Sequence, residues 1–188
     1  VGFIMLAMLA ICLPAARITA RIVEKKPGTN TVAGASFVGL LLLPLLVYLT
    51  NVTLGHWMNF HISLLIMLAA VSTAYAFGEG IGRLACVSFG CCYGKPLKSC
   101  SGIIQSLFRN FHLVFTGSTK KAAYAGGLEG QPVIPIQALT AIVCCLAGLA
   151  GVYLFLSGFF MAAALLTFTV THAWRLVSEI WRADYRGG

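Results

Sequence analysis

Two long stretches without a single Asp, Glu, Lys or Arg constrain this chain more than any other feature. Residues 27–78 make one, 52 residues long, and residues 130–174 the other, 45 residues long. A helix needs roughly 20 residues to cross the hydrocarbon core, so each stretch is long enough for a hairpin of two spans. The pattern predicts spans at about 1–16, 33–50, 62–78, 134–156 and 159–174. The fold class that follows is all-α: a polytopic transmembrane helix bundle with about five spans. The first hairpin is expected to turn within residues 50–59, where Asn51, Gly55, His56 and Asn59 collect, and the second near Ser157 and Gly158. A water-soluble fold is excluded. The 188 residues are 59% hydrophobic and 10% charged, with a mean hydropathy of +0.90, which leaves too little polar surface to face water.

Both expected hairpin tips are uncharged, so all 13 basic and all 5 acidic residues gather on one side, within residues 17–26, 79–129 and 175–186. The positive-inside rule would place that side in the cytoplasm. A site for an anionic lipid would concentrate the same bases for a different reason, and the sequence leaves both open. The net charge of +8 flanks the spans, so it reads as attraction to lipid headgroups and not to nucleic acid. The chain opens at Val1 within an apolar run that has no basic leader. Residues 1–16 are therefore expected to be a span and not a signal peptide, with some chain missing ahead of them.

The whole chain reads as one integral membrane domain with an extramembrane insertion at about 98–131. Within it Ile103, Ile104, Leu107, Phe108, Phe111 and Phe115 recur at helical spacing. This stripe suits a helix lying in the interface or packed on the bundle. Residues 118–130, with Gly126, Gly127 and Gly130, read as a flexible loop.

The segment G-R-L-A-C-V-S-F-G-C-C-Y-G-K-P over residues 82–96 follows the third span. An arginine at the edge of hydrocarbon is a functional candidate by default, and the planar fork of Arg83 matches a phosphate bidentately. Its alternative role is to anchor a helix end. Glu79 stands one turn before it, placed for an ion pair. Arg175, Glu179 and Arg182 are spaced to share one face of the last helix, with Trp174 and Trp181 as interfacial aromatics. Seven cysteines are present: Cys12, Cys86, Cys91, Cys92, Cys100, Cys144 and Cys145. Cys86, Cys91, Cys92 and Cys100 do not match zinc spacings, so no metal is expected; a thiolate near Arg83 and Lys95 would be reactive. His172, one turn before Arg175, is a candidate proton acceptor or a packed histidine.

Residues 82–94 resemble the signature of the prolipoprotein diacylglyceryl transferase family, which runs roughly G-R-x-G-N-F-x-N-G-E-x-x-G. Gly82, Arg83, Gly90 and Gly94 match it. Residues 16–18 are similar to the G-G-R-I that ends an earlier span in that family, and residues 33–39 to G-G-M-S-F-H-G. Pro135 and Gln137 match part of H-P-S-Q-L-Y-E, and Arg175, Glu179 and Arg182 match R-F-x-x-E-F-x-R. The order of all five agrees. The family's polar residues are replaced at Val38, Cys86, Phe89, Cys91, Ile134, Leu139 and Thr140, and its first and last spans have no counterpart here. The chain looks like a divergent branch with a G-C-C-Y-G-K-P signature.

The resemblance implies a multi-pass protein of the bacterial cytoplasmic (inner) membrane, with the signature side outside the cytoplasm. It also implies transfer of a diacylglyceryl group from phosphatidylglycerol to the lipobox cysteine thiol of a prolipoprotein, without a metal or organic cofactor. Arg83, Arg175 and Glu179 would then be catalytic. Arg17, Arg83, Gly90, Gly94, Gln137, Arg175 and Arg182 would bind the lipid. His172 and Glu79 are candidate bases, since Val38 replaces the family's histidine. Two other readings stay open. One is a non-catalytic protein that binds or handles an anionic lipid; the other is a membrane thiol redox protein using Cys91 and Cys92.

Overall fold

The computed structural model describes residues 2–23 and 32–184, and the side chains of all of these but 23 and 32–34. Glu24, Lys25, Lys26 and Arg186, counted above with the charged side, lie outside the described residues, as does the side chain of Ala33. Among the described residues, five helices are long and apolar enough to cross a membrane, and sheet is limited to a two-stranded ribbon. The protein is an all-α, multi-pass membrane protein. Apolar side chains such as Leu6, Leu41, Leu146 and Tyr153 stand exposed along these helices, as expected of faces that meet lipid.

The chain forms two compact units, one ending at residue 68 and the other comprising residues 69–184. In the first, α1 (Gly2–Val23) packs on α2 (Val32–Thr50). The first turn falls at the far end of the expected range, because the helical stretch outlasts its expected end at residue 50. Past Thr50 the chain continues as a π turn, Asn51–Gly55, and a short helix α3 (His56–Met58), before Asn59 adopts a left-handed conformation at φ 53°. The amide of Asn51 then clamps the returning chain, donating to the Ile62 carbonyl at 2.9 Å and accepting from the Ile62 N–H at 2.8 Å. Those two bonds satisfy backbone groups that the turn would otherwise leave bare.

α4 (Leu64–Phe89) runs through to Phe89 and does not stop near residue 78. Glu79 and Arg83 therefore lie on the helix. Their opposite charges at i, i+4 spacing support the helix where isolated charges would end the span. Its end is a Schellman motif: the N–H of Gly90 bonds the Val87 carbonyl at 3.3 Å and that of Cys91 bonds the Cys86 carbonyl at 3.2 Å, with Gly90 at φ 61°.

α7 (Ile136–Leu156) and α8 (Phe160–Trp181) form the expected hairpin, turning at Ser157 and at Gly158 with φ 82°. Small residues let α4 approach α7 closely, as membrane helices do. A Cβ on Gly80 would stand 2.8 Å from Cys145 Sγ and 3.1 Å from the Ala141 carbonyl oxygen. α8 also outlasts its expected end, carrying Arg175 and Glu179 on its last turns.

The insertion is more ordered than its composition suggests. It holds α5 (Gly102–Phe108), β1 (Leu113–Val114), α6 (Lys121–Tyr124) and β2 (Pro132–Val133), with β1 and β2 antiparallel. The expected helical stripe ends at Phe108. Its two proposed roles are divided: Ile103 is 83% exposed, whereas Phe108 is 7% exposed and packs with Leu97, Ile134 and Ile136. Phe115 belongs to a second small core with Tyr93, Ala122 and Val133. The segment read as a flexible loop is instead held down: Ala122 N–H bonds the Gly90 carbonyl at 2.9 Å and Gly130 N–H bonds the Phe115 carbonyl at 3.0 Å.

Candidate functional site

The second unit joins residues of α4 and α8 around one carboxylate. Glu79 has a side chain only 3% exposed. Its Oε1 accepts from Arg83 at 2.8 Å, and its Oε2 accepts from the Tyr75 hydroxyl at 2.6 Å. Arg175 of α8 lies 3.7 Å from Oε2 and donates to the Tyr75 oxygen at 3.0 Å. Tyr75, Glu79 and Arg83 are four residues apart, so one face of α4 presents all three. Two guanidinium groups face one carboxylate, leaving a net positive site. Arg83 keeps 19% of its side chain exposed and Arg175 keeps 28%, enough for an anion to reach them. His172, one turn before Arg175, stacks on Phe168 with ring centres 4.1 Å apart and stands 6.2 Å from the Tyr75 ring.

The spacing of Arg175, Glu179 and Arg182 suggested one shared face, and the structure divides them. Arg182 has left the helix, with extended backbone at φ −81° and ψ 150°. Its fork is filled by Asp184 in a bidentate pair, Nε to Oδ1 and Nη2 to Oδ2, both at 2.7 Å. Glu179 reaches Arg182 at 3.4 Å from an exposed position. Both arginines therefore have protein partners, and only Arg175 joins the Glu79 cluster. Arg17 belongs to the first unit, where it lines a shallow recess on α1 with Leu13, Pro14, Ile18 and Arg21.

Gly90 and Gly94 serve the protein's own packing. A Cβ on Gly90 would meet Lys120 at 2.9 Å, and one on Gly94 would strike the Ile134 carbonyl oxygen. Gly94 also bridges Arg182 in antiparallel register. Gln137, fully buried at the start of α7, donates to the Cys91 carbonyl at 2.8 Å. It thereby ties the signature loop to the bundle.

The Schellman turn brings Cys86, Cys91 and Cys92 together. Their sulfur atoms all lie within 4.8 Å of one another, and Sγ of Cys86 and Cys92 are 4.0 Å apart. The Cys92 thiol is held low, at about 5, by the Cys86 thiol that hydrogen-bonds it; burial opposes this, and the positive charges of Arg182 and Arg83 reinforce it. Burial pushes the Cys91 thiol up. Cys100 turns elsewhere, to the Pro96 carbonyl at 3.5 Å.

Sequence reasoning missed Tyr75 and Asp184. Tyr75 was discoverable, since it precedes Glu79 by the same four residues that separate Glu79 from Arg83. Asp184 lies beyond the last helix, and no local pattern ties it to Arg182. No family model, curated protein or solved structure matches the chain.

Proposed function

We propose that this membrane protein binds the phosphate of an anionic phospholipid at Arg83 and Arg175 and transfers its diacylglyceryl group to a thiol. The observation that carries the reading is the gathering of two partly exposed guanidinium groups on one buried carboxylate, Glu79, in the membrane-spanning helices. Arginine forks suit phosphate oxygens, and a fixed pair near hydrocarbon is expensive unless it serves a site. The sequence resemblance supplies the donor, phosphatidylglycerol, the acceptor, a lipobox cysteine, and the bacterial cytoplasmic membrane as location.

In the proposed step the acceptor sulfur attacks the glycerol carbon that carries the phosphoester oxygen. A C–S bond forms, that C–O bond breaks, and glycerol phosphate leaves with the bonding pair while the thiol proton passes to a base. Arg83 and Arg175 stabilise the charge that grows on the leaving phosphate. Glu79 is a positioning residue, because its oxygens are already committed to Tyr75, Arg83 and Arg175. His172 suits the base better. Its Nδ1 faces the Phe168 carbonyl oxygen at 2.8 Å, a contact that needs the proton on Nδ1 and leaves Nε2 as the acceptor.

A second reading, lipid binding without transfer, is favoured by Val38 and Cys91 standing where the resembled family carries histidine and glutamate. One experiment separates the two. The protein is reconstituted in phosphatidylglycerol vesicles with a lipobox peptide, and the peptide is weighed by mass spectrometry. A diacylglyceryl adduct that Arg83→Ala abolishes supports transfer. Lipid retained without an adduct supports binding alone. Lipid retention unchanged by Arg83→Ala and Arg175→Ala overturns the site.

A further inference from the structure

The cysteine cluster is not used by the proposed transfer, and it has the form of a ligand set. The sequence spacing, Cys86 followed by adjacent cysteines at 91 and 92, is not one that usually binds zinc. The backbone explains how it closes. In a Schellman motif the residue after the left-handed glycine contacts the third residue from the helix end. Here those positions are Cys91 and Cys86, and the Cys91 sulfur lies 4.0 Å from the Cys86 carbonyl oxygen. Cys92 then takes a second left-handed conformation, φ 54°. For a non-glycine residue this is disfavoured by about 1–2 kcal/mol. It turns the Cys92 sulfur onto that of Cys86.

The loop is braced from both sides. Gln137 holds the Cys91 carbonyl, Ala183 N–H bonds the Tyr93 carbonyl at 3.1 Å, and Lys95 N–H bonds the Trp181 carbonyl at 2.8 Å. A thiophilic ion at a metal–sulfur distance of about 2.3 Å sets its thiolates about 3.8 Å apart when tetrahedral and about 4.0 Å apart when trigonal. The Cys86–Cys92 separation is 4.0 Å, and all three sulfurs lie within 4.8 Å. Packing of small apolar cysteines would account for their half-buried positions. It does not account for three sulfurs converging through a disfavoured backbone.

We infer that Cys86, Cys91 and Cys92 form a three-thiolate site for a thiophilic d10 cation, Zn2+ or Cu+. Three thiolates give an anionic complex with either ion. Arg83 and Arg182 lie close enough for their charges to act on Cys92, with Asp184 opposing them, so the arginines relieve part of that charge. Three protein ligands complete a trigonal Cu+ site and leave a fourth position on Zn2+ open to water or an external thiolate.

The test uses the full chain, purified in detergent under anaerobic reducing conditions and stripped with a chelator. It is then offered Zn2+, Cu+ or, as a spectroscopic probe, Co2+. The expected result is one ion per chain and a thiolate-to-cobalt charge-transfer band that Cys92→Ser or Cys91→Ser removes and Cys100→Ser keeps. Alkylation mapping of the wild-type protein supplies a readout that needs no variant to fold. Cys86, Cys91 and Cys92 should be protected by the ion and Cys100 should not. Competition between Zn2+ and Cu+ identifies the preferred ion. Failure of the reduced protein to take up any of the three ions overturns the site. So does alkylation of the three thiols at the metal-free rate, or a Cys86–Cys92 disulfide in the anaerobically isolated protein, which would mark a redox pair. None of these results depends on lipid transfer.

Discussion

Glu79 and Arg175, from helices on opposite sides of the insertion, meet at 3.7 Å around a carboxylate that also holds Arg83 at 2.8 Å. The contact makes one site out of two sequence motifs. It also makes Glu79 the residue on which the site's order depends, since both cations share it.

Glu79→Gln keeps the shape of the side chain and removes its charge. Two partly buried guanidinium groups then lose their counter-ion. Breaking a buried pair costs about 3–5 kcal/mol, and the residual exposure of Arg83 and Arg175 places this case at the lower end. The expected result is a lower unfolding temperature in detergent. In a double-mutant cycle, Arg83→Met should recover part of the loss. Additive effects of the two substitutions would show that the pair is not coupled.

Tyr75→Phe isolates the hydroxyl that donates to Glu79 and accepts from Arg175. The ring and its packing remain. Losing a hydrogen bond to a charged group costs about 1.5–3 kcal/mol, and here one oxygen serves two such groups. The variant should be less stable than wild type and should retain phosphatidylglycerol less well, because Arg175 loses its shorter contact. Wild-type stability together with wild-type retention would remove Tyr75 from the site.

The limits of the sequence are clearest along α4 and α8. The uncharged stretches were legible because hydrocarbon tolerates little else, and the turn at Gly158 followed from them. Reading Glu79 and Arg175 as the ends of spans placed both helix ends too early. Charges end a span when they need water, whereas these find partners on the protein. The Glu79–Arg83 pair was visible as a spacing of four. Its union with Arg175 was not, since it depends on how α4 and α8 pack. Likewise the shared face expected of Arg175, Glu179 and Arg182 assumed a helix that runs through Arg182, whereas α8 stops at Trp181. The cysteine cluster lay hidden for a similar reason: its spacing fits no ligand pattern until two successive left-handed turns fold it.

Gly94→Ala tests whether the signature glycine serves packing. A methyl group there would strike the Ile134 carbonyl oxygen and stand 2.8 Å from Ile134 Cβ. Overpacking of this kind costs about 1–3 kcal/mol, and it would loosen the bridge between Gly94 and Arg182. Reduced stability is expected, with Cys92 more readily alkylated as the loop lifts. An alanine variant as stable as wild type would return Gly94 to the lipid-contacting set.

The low value of Cys92 gives a pH signature with a definite sign. Its thiol titrates at about 5 in the folded protein, against an ordinary 9.0. Between these values the folded state binds fewer protons than the unfolded state, so this group's stabilisation is complete above about 9 and is lost as pH falls towards about 5. In metal-free, reduced protein, mass-spectrometric mapping of alkylation at Cys92 should show a rate midpoint near the lower value. The Cys86 hydrogen bond is the main cause, so Cys86→Ala should move the midpoint up. Arg182→Met should move it the same way, because it removes a positive charge and leaves Asp184 without its partner. A wild-type midpoint near 9, or one that neither substitution moves, would show that Cys92 does not sit in this electrostatic setting and would remove the ready-made thiolate from the cluster.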